Sequence, residues 1–323
     1  MESKIMVSIV VAIYNHEKYL EKAINSILMQ EVNFEYEVLI GEDCSTDSSR
    51  AILKNLEYNL PGNFQLFYRE KNLGAVANFK DLYSRMRGKY YIVLEGDDYW
   101  IYKGKLQEQV DFLEKHEDYV AVAHNVKIID EYGADTNKKY PECKKQEYTL
   151  KEYRKGLLPG QTASILIRNY FLDNSLNYIV EGISIPEDRI KAFVLAANGK
   201  IRCIQSVWSA YRFVTNNGAS YSAMAKKLNN INTEVLFYKS LYDYAKKANV
   251  SNESIVISSQ MYAMRLLKAA FKKTGNINFR EFLDKLSQFD HKIFIILYLV
   301  TICIQYPFIK IAWLMRKGRS KYL

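Results

Sequence analysis

Cysteine is scarce and scattered in this chain. Cys44, Cys143, Cys203 and Cys303 form no Cys-x-x-Cys pair, which argues against a zinc ribbon or a disulfide framework and fits reduced thiols in the cytosol. Histidine is equally sparse: His16, His116, His124 and His291 never pair at a metal-ligand spacing. His16 follows Tyr14-Asn15, near a strand end, and reads as a helix-start surface residue, with a place near the pocket as the alternative. The chain also lacks a Gly-x-x-x-x-Gly-Lys phosphate loop and a Gly-x-Gly-x-x-Gly fingerprint, so nothing points to those two nucleotide-binding devices. No signal peptide is expected, because Met1-Glu2-Ser3-Lys4 runs straight into a strand without a cleavage-type site. Internal repeats and low-complexity tracts are absent.

What is present is a globular composition. The 323 residues are 49% hydrophobic and 25% charged, enough for one large domain with an extension. The formal net charge of +9 makes a polyanionic surface a plausible partner. The first hundred or so residues alternate between two hydrophobic periods. Met6–Ile13, Tyr36–Ile40, Phe64–Tyr68 and Tyr90–Leu94 read as strands. Leu20, Ala23, Ile24, Ile27 and Leu28 mark a helix, and Ser48–Glu57, Gly74–Arg87 and Lys105–Lys115 mark three more. Nearly continuous apolar strands between helices predict a mostly parallel α/β sheet covered on both faces. Further on, Tyr119–Ile129, Thr162–Ile167 and Lys200–Phe213 read as strands, and a helix starts at Pro186-Glu187-Asp188 and ends at Gly199. Beyond Ser222 the pattern is helical: Ala223–Lys247, Ser254–Lys273 and Phe279–Phe289.

Two acidic clusters end apolar strands: Gly41-Glu42-Asp43-Cys44-Ser45-Thr46-Asp47 and Glu95-Gly96-Asp97-Asp98. Carboxylates this close repel and raise one another's pKa unless something compensates them. A divalent cation, or donor groups on a ligand, would do so. In a doubly wound sheet, ligands bind at the carboxyl ends of the strands. Tyr14-Asn15, Glu42-Asp43, Asn72 and Glu95 to Asp98 all follow strands, so four loops are expected to converge on one pocket.

Those residues carry a resemblance. Val10-Val11-Ala12-Ile13-Tyr14-Asn15, Gly41 to Asp47, Asn72-Leu73-Gly74 with Asn78, and Glu95-Gly96-Asp97-Asp98-Tyr99-Trp100 resemble, in order and spacing, the motifs of family 2 glycosyltransferases. The resemblance is firm over roughly residues 5–130 and weaker to about 220. It implies the GT-A nucleotide-sugar-binding fold, a metal-dependent sugar transfer, and inversion by direct displacement. It assigns Ala12, Tyr14, Asn15, Asp43, Asn72, Asn78, Glu95 and Gly96 to the nucleotide sugar, with Asp43 on the base. Asp97 stands where the family's Asp-x-Asp signature holds Mg²⁺ or Mn²⁺, although Glu95 replaces the first aspartate. Asp98 faces the acceptor or backs the site, and Tyr99-Trp100 is either an aromatic platform for a sugar or core packing. Asp188 is the expected catalytic base, with Glu187 beside it. Arg212, in Tyr211-Arg212-Phe213 before Gly218 and Ser220, is expected to hold diphosphate, since guanidinium suits phosphate. The family's processive Gln-x-x-Arg-Trp motif is absent, which implies that one sugar is added per acceptor.

The C-terminal end has its own character. Ile293 to Ile309 is 17 residues long with no formal charge, interrupted by Pro307 and followed by Lys310, the lower edge of a spanning length. From Asn276 onward there are eight Lys/Arg against three Asp/Glu, so +5 of the chain's +9 lies in its last 48 residues. An apolar run with Trp313 and a basic end predicts a helix lying on an anionic membrane surface; a buried helix, a dimer contact and a true span are the alternatives.

The expectation is therefore a GT-A catalytic domain over 1–220, with a donor half at about 5–130 and an acceptor half at about 131–220. A helical extension follows over 221–323, with its membrane-associating end at about 291–323. The expected partners are a nucleotide sugar, with uridine diphosphate sugars first, a glycan or lipid-linked acceptor, and the inner face of the cell membrane. A homodimer stays open, and nucleic acid is not expected. The alternatives are a nucleotidyltransferase on a similar sheet and a non-catalytic glycan-binding member.

Overall fold

The computed structural model of the chain describes residues 5–138, 144–170, 187–213, 231–248, 250–272 and 275–304. These fall into two units, one within 5–213 and one within 231–304. The expected boundary at 220/221 lies outside the described residues, as do Gly218, Ser220 and the start of the helix expected from Ala223.

The first unit is an α/β layer structure. Strands β1 (Val7–Ile13), β2 (Tyr36–Glu42), β3 (Phe64–Tyr68) and β4 (Tyr90–Glu95) alternate with helices α1 (Leu20–Leu28), α2 (Ser49–Glu57) and α3 (Ala75–Ser84). Then follow β5 (Tyr99–Trp100), α4 (Lys105–Lys115), β6 (Tyr119–Ile129), β7 (Glu147–Tyr148), α5 (Leu150–Arg154), a 3-10 turn at Thr162–Ser164, β8 (Leu166–Arg168), α6 (Glu187–Asn198) and β9 (Lys200–Arg212). The sheet order is β3-β2-β1-β4-β8-β6-β9-β5, with β7 also on β9. The long pairings, β1 with β2 and β4, β2 with β3, and β6 with β9, are parallel, while β5, β7 and β8 make short antiparallel ones. The sheet is thus mixed and mostly parallel. The strand expected over Thr162–Ile167 is a correction: its first half is the 3-10 turn, and only its end joins β8. The two-residue strands β5 and β7 are too short to leave a periodic signal.

Four of the five periodic positions of α1 go where the sequence puts them, while Leu28 is exposed. Leu20, Ala23, Ile24 and Ile27 of α1 are fully buried, joining Val7, Ile9, Val11, Ile13, Val38, Ile40, Ile92 and Leu94 of the central strands in one core with Leu106 and Val110 of α4. Each such side chain contributes about 2 kcal/mol by leaving water. Register then fixes the site: Ile13 lies beside Glu42, and Ala12 beside Glu95. The carboxyl ends of β1, β2 and β4 are therefore level, with β1 between neighbours whose connections run to opposite sides. That is the switch point of a doubly wound sheet.

The second unit contains α7 (Ile231–Ala248), α8 (Asn252–Phe271), α9 (Phe279–Ser287) and a helix α10 over 292–304. Tyr242 of α7 stacks on Tyr262 of α8 at 6.2 Å, and Arg265 pairs with Glu234 at 2.8 Å. Asn278 and Glu281 form a capping box that starts α9. On α10, Ile295 and Leu299 are buried, but Ile293, Phe294, Ile296, Leu297, Val300 and Ile304 are exposed. No helix among the described residues is long and apolar enough to cross a membrane; residues 305–323 lie outside them.

One buried acid braces the amino-terminal side of the sheet. Glu37, 1% exposed, accepts from Ser8 Oγ at 2.7 Å, the Arg87 backbone N–H at 2.7 Å and the Arg87 guanidinium at 2.7 Å. Three segments distant in sequence meet on one charge. Glu37→Ala strands the Ser8 hydroxyl and the Arg87 backbone N–H, while the exposed Arg87 guanidinium turns to water, and should lower the unfolding free energy by about 2 kcal/mol. Urea unfolding measures it; an unchanged midpoint would remove this acid from the supports of the fold.

Candidate functional site

The loops after β1 and β2 are stitched together by short polar side chains. Asn15 takes a positive φ of 58°, a conformation that asparagine tolerates better than most residues. Its Oδ1 accepts from the Thr46 N–H at 2.9 Å, and its own N–H donates to Ser45 Oγ at 3.1 Å. Glu42 is fully buried, accepts from the Ser45 N–H at 2.7 Å and pairs with Arg50. Tyr14 and Ala12 line the end of β1, both half-buried.

Asp43 lies at the base of the next loop. It is 2% exposed, and its two oxygens accept from the backbone N–H groups of Leu73 at 2.8 Å and Gly74 at 3.0 Å. Asn72 closes the same loop by donating to the Asp43 carbonyl at 3.0 Å. Gly74, at φ 81°, supplies the turn into α3 that side chains resist. Asn78 needs a correction. It is 1% exposed, donates to the Gly41 carbonyl at 3.0 Å and accepts from Arg69 Nε at 3.0 Å. Its amide is a bracket between β2 and α3, with no surface turned to a nucleotide.

The second acidic cluster closes on itself. Carboxylate oxygens of Glu95, Asp97 and Asp98 lie within 4.8 Å of one another. Glu95 and Asp97 are half-buried, while Asp98 is 1% exposed. The turn between them is held by Gly96 N–H donating to the Ala12 carbonyl at 3.2 Å and Asp98 N–H donating to Glu95 O at 3.0 Å. Burial, then the charges of Asp97 and Glu95, pushes the Asp98 carboxyl well above the usual carboxylate range. Two donors oppose this: the Arg212 backbone N–H at 2.8 Å and Gln161 Nε2 at 2.8 Å. Gln161, 3% exposed, also reaches Glu95 at 3.4 Å.

Arg212 and Trp100 are both turned inward. Arg212 is 4% exposed, with its guanidinium over the Tyr19 ring at 4.0 Å. It donates to the carbonyls of Asp97 at 3.1 Å, Asp130 at 2.9 Å and Glu131 at 3.1 Å. Its Nε and Nη1 donors go to the backbone of the acidic turn and its neighbour, so it positions that turn. Trp100 is 1% exposed, donates Nε1–H to the Ala163 carbonyl at 3.0 Å and packs under Lys105 Nζ at 4.3 Å. It packs in the core, the second of its two expected readings.

Sequence reasoning missed Gln161 and undervalued His16. A glutamine between Pro159-Gly160 and a strand carries no periodic signal, and its partners are 63 and 66 positions away. The imidazole of His16 lies against Gly96: a Cβ built there would meet Nδ1 at 2.5 Å. Asp188 stands in the first turn of α6, half-buried, and accepts from the Arg189 N–H at 2.8 Å. Glu187 begins the same helix; residues 171–186, which lead to it, lie outside the described residues.

The roles of Arg212 are separable by experiment. Arg212→Ala should cost about 2–3 kcal/mol of stability, because three carbonyls lose a charged donor. A guanidinium that served diphosphate would instead raise the donor KM and leave the urea midpoint alone; that result would overturn the positioning role.

Comparison with known proteins bears on the family and the fold. Residues 8–173, just over half of the chain, match the model described as Glycosyl transferase family 2. An uncharacterized protein of Mycobacterium tuberculosis is 35% identical over 171 residues, covering 53% of this chain and 46% of that protein. The putative glycosyltransferase EpsE of Bacillus subtilis is 32% identical over 133 residues (41% and 47%), and the putative teichuronic acid biosynthesis glycosyltransferase TuaG of the same organism is 34% identical over 110 residues (34% and 42%). The matched stretch spans about half the length of these relatives. The crystal structure of S. aureus TarS 1-349 in complex with UDP-GlcNAc superposes with a TM-score of 0.61 over 89% of this chain and 81% of that one, at 19% identity; that likeness shows the fold. On the family match, the chain belongs to glycosyl transferase family 2.

Proposed function

We propose that this chain moves one sugar from a nucleotide sugar, of the uridine diphosphate class, to a glycan or lipid-linked saccharide in surface polysaccharide synthesis. The observation that carries the reading is the carboxylate cluster Glu95–Asp97–Asp98 at the level carboxyl ends of β1, β2 and β4, in a chain of family 2. The UDP-GlcNAc complex of TarS and the names of EpsE and TuaG support the donor class and the pathway class. The donor half is the stretch to about residue 130, and the acceptor half follows to about 220.

The acidic cluster fits a hard divalent cation, Mg²⁺ or Mn²⁺. Its donors are oxygens, and Gly96 lets the turn pass close to His16 and the end of β1. Glu95 and Asp97 would hold the ion, which when bound supplies Lewis-acid stabilisation of the diphosphate. The chain's own residues do the rest. Asp43, whose oxygens accept from the Leu73 and Gly74 N–H groups, stands where the base of the nucleotide would be read, with Tyr14, Asn15 and Asn72 around it. Gln161 and Arg212 hold Asp98 and the acidic turn in place before any ligand arrives, and Asp98 backs the site from beneath.

In the transfer, the bond from the anomeric carbon to the diphosphate oxygen breaks as a bond to the acceptor oxygen forms on the opposite face. The acceptor's proton passes to Asp188. Proton transfer of this kind is worth about two to four orders of magnitude in rate. Asp188→Asn should lower kcat by at least about a hundredfold while calorimetric binding of the nucleotide sugar survives. Near-normal turnover would move the base elsewhere.

The exposed apolar side chains of α10, Ile293, Phe294, Ile296, Leu297, Val300 and Ile304, precede a stretch carrying Lys310, Arg316, Lys317, Arg319 and Lys321. This supports docking on an anionic membrane surface, where a lipid-linked acceptor would be met. The chain should sediment with vesicles containing anionic phospholipid and not with zwitterionic ones, and Phe294→Asp with Leu297→Asp should weaken this. Equal binding to both vesicle types would sink the electrostatic part.

A further inference from the structure

We propose that Gln109, fixed by the buried Lys105, is a positioning residue for the acidic turn: it holds the 3-10 turn capped by Gln161, the side chain that holds Asp98. The inference rests on the cation reading above and adds to it a support that does not touch the site.

The stretch from Asp98 to Gln109 grips the 3-10 turn at three points. Asp98 accepts from Gln161 Nε2 at 2.8 Å, Trp100 Nε1–H donates to the Ala163 carbonyl at 3.0 Å, and Gln109 Nε2 donates to the Ser164 carbonyl at 2.9 Å. Inside the turn, Gln161 Oε1 accepts from the Ala163 N–H at 2.8 Å, and the Gln161 carbonyl accepts from the Ser164 N–H at 2.8 Å and from Ser164 Oγ at 2.6 Å. The Gln161 amide therefore spends its oxygen on its own turn and its nitrogen on Asp98. Where the turn goes, the hydrogen bond to Asp98 goes with it.

Gln109 works where the sheet stops. β8 pairs with β6 at Ile167–Ala121 and Leu166–Val122, and the pairing goes no further. At that end the carbonyls of Val122 and Ser164 both accept from Gln109 Nε2, at 2.8 and 2.9 Å. One buried side-chain amide thus stands in for a further rung and ties the turn to β6. Its orientation is set by Lys105, one helical turn earlier on α4. Lys105 is fully buried, donates from Nζ to Gln109 Oε1 at 2.9 Å and lies 4.3 Å from the centre of the Trp100 ring. A donor beside Oε1 selects the amide orientation whose nitrogen faces the two carbonyls. Burying an amine is costly, and a polar network of this kind fixes geometry more sharply than apolar contact would.

The test compares Gln109→Met with the parent, both as the full chain. In the ligand-free protein, ¹⁵N-tryptophan spectra report the Trp100 indole N–H, assigned by its loss in Trp100→Phe. Calorimetry then gives the affinity for uridine diphosphate with Mn²⁺, and for uridine, which has no phosphate to meet a cation. The expected result is a shifted, faster-exchanging indole, a loss of about ten- to a hundredfold in diphosphate affinity, and unchanged uridine binding. Unchanged diphosphate affinity in the folded variant overturns the positioning role and leaves the cation reading standing. So does a loss with the indole unmoved, or an equal loss for uridine. No Mn²⁺-dependent binding of the diphosphate by the parent overturns both. Where Gln109→Met does not fold, Lys105→Met, which keeps both Gln109 donors, decides by the same measurements.

Discussion

Asp98 is a carboxylate with almost no access to water, and the organisation of the site depends on how it is kept there. Burial and two acidic neighbours oppose its charge. Gln161 and the backbone of Arg212 answer with hydrogen bonds from the lead into β8 and from the end of β9. One unfavourable group thus joins the β4–β5 turn to two segments that the sheet alone would leave merely adjacent. The Arg212 side chain extends the same tie to the carbonyls of Asp97, Asp130 and Glu131. A buried polar group that must be satisfied specifies geometry more sharply than apolar contact does, and here the geometry specified is that of the Glu95 and Asp97 carboxylates.

The other side of the site is built by the same device with different partners. Asp43 and Asn15 spend their oxygens on backbone N–H groups of neighbouring loops, and Asn72 spends its own on Gly74 of the same loop. The loops after β1, β2 and β3 are therefore preorganised around the switch point rather than ordered by a ligand. Preorganised dipoles and charges need no rearrangement when charge develops on a leaving group, which is where most catalytic stabilisation is found. Fold and function meet at this point: the parallel strands bring four loops level, and the polar side chains on those loops lock one another.

Much of this was legible in the chain. The strands β1 to β4, β6 and β9, the helices between them and the helical end follow from hydrophobic period. So do the positions of the acidic clusters at strand ends, and the order of motifs was enough to indicate the family. Individual roles were less legible. Asn78, Trp100 and Arg212 sit inside or beside the right motifs, yet their side chains are buried and engaged with protein. Motif position says which loop a residue belongs to, but not whether its side chain faces the cleft or the core.

The sequence by itself determined the local and repetitive features: strand and helix periods, strand-end carboxylates, and a glycine between Glu95 and Asp97. Each depends on neighbours a few positions away. The tertiary structure alone decided that Gln161 holds Asp98 across 63 positions and Arg212 across 114, that His16 lies on Gly96, and that Asp98 is the buried member of its cluster. Those facts depend on register across β1, β4 and β9 and on the desolvation it imposes, and neither leaves a pattern in local spacing.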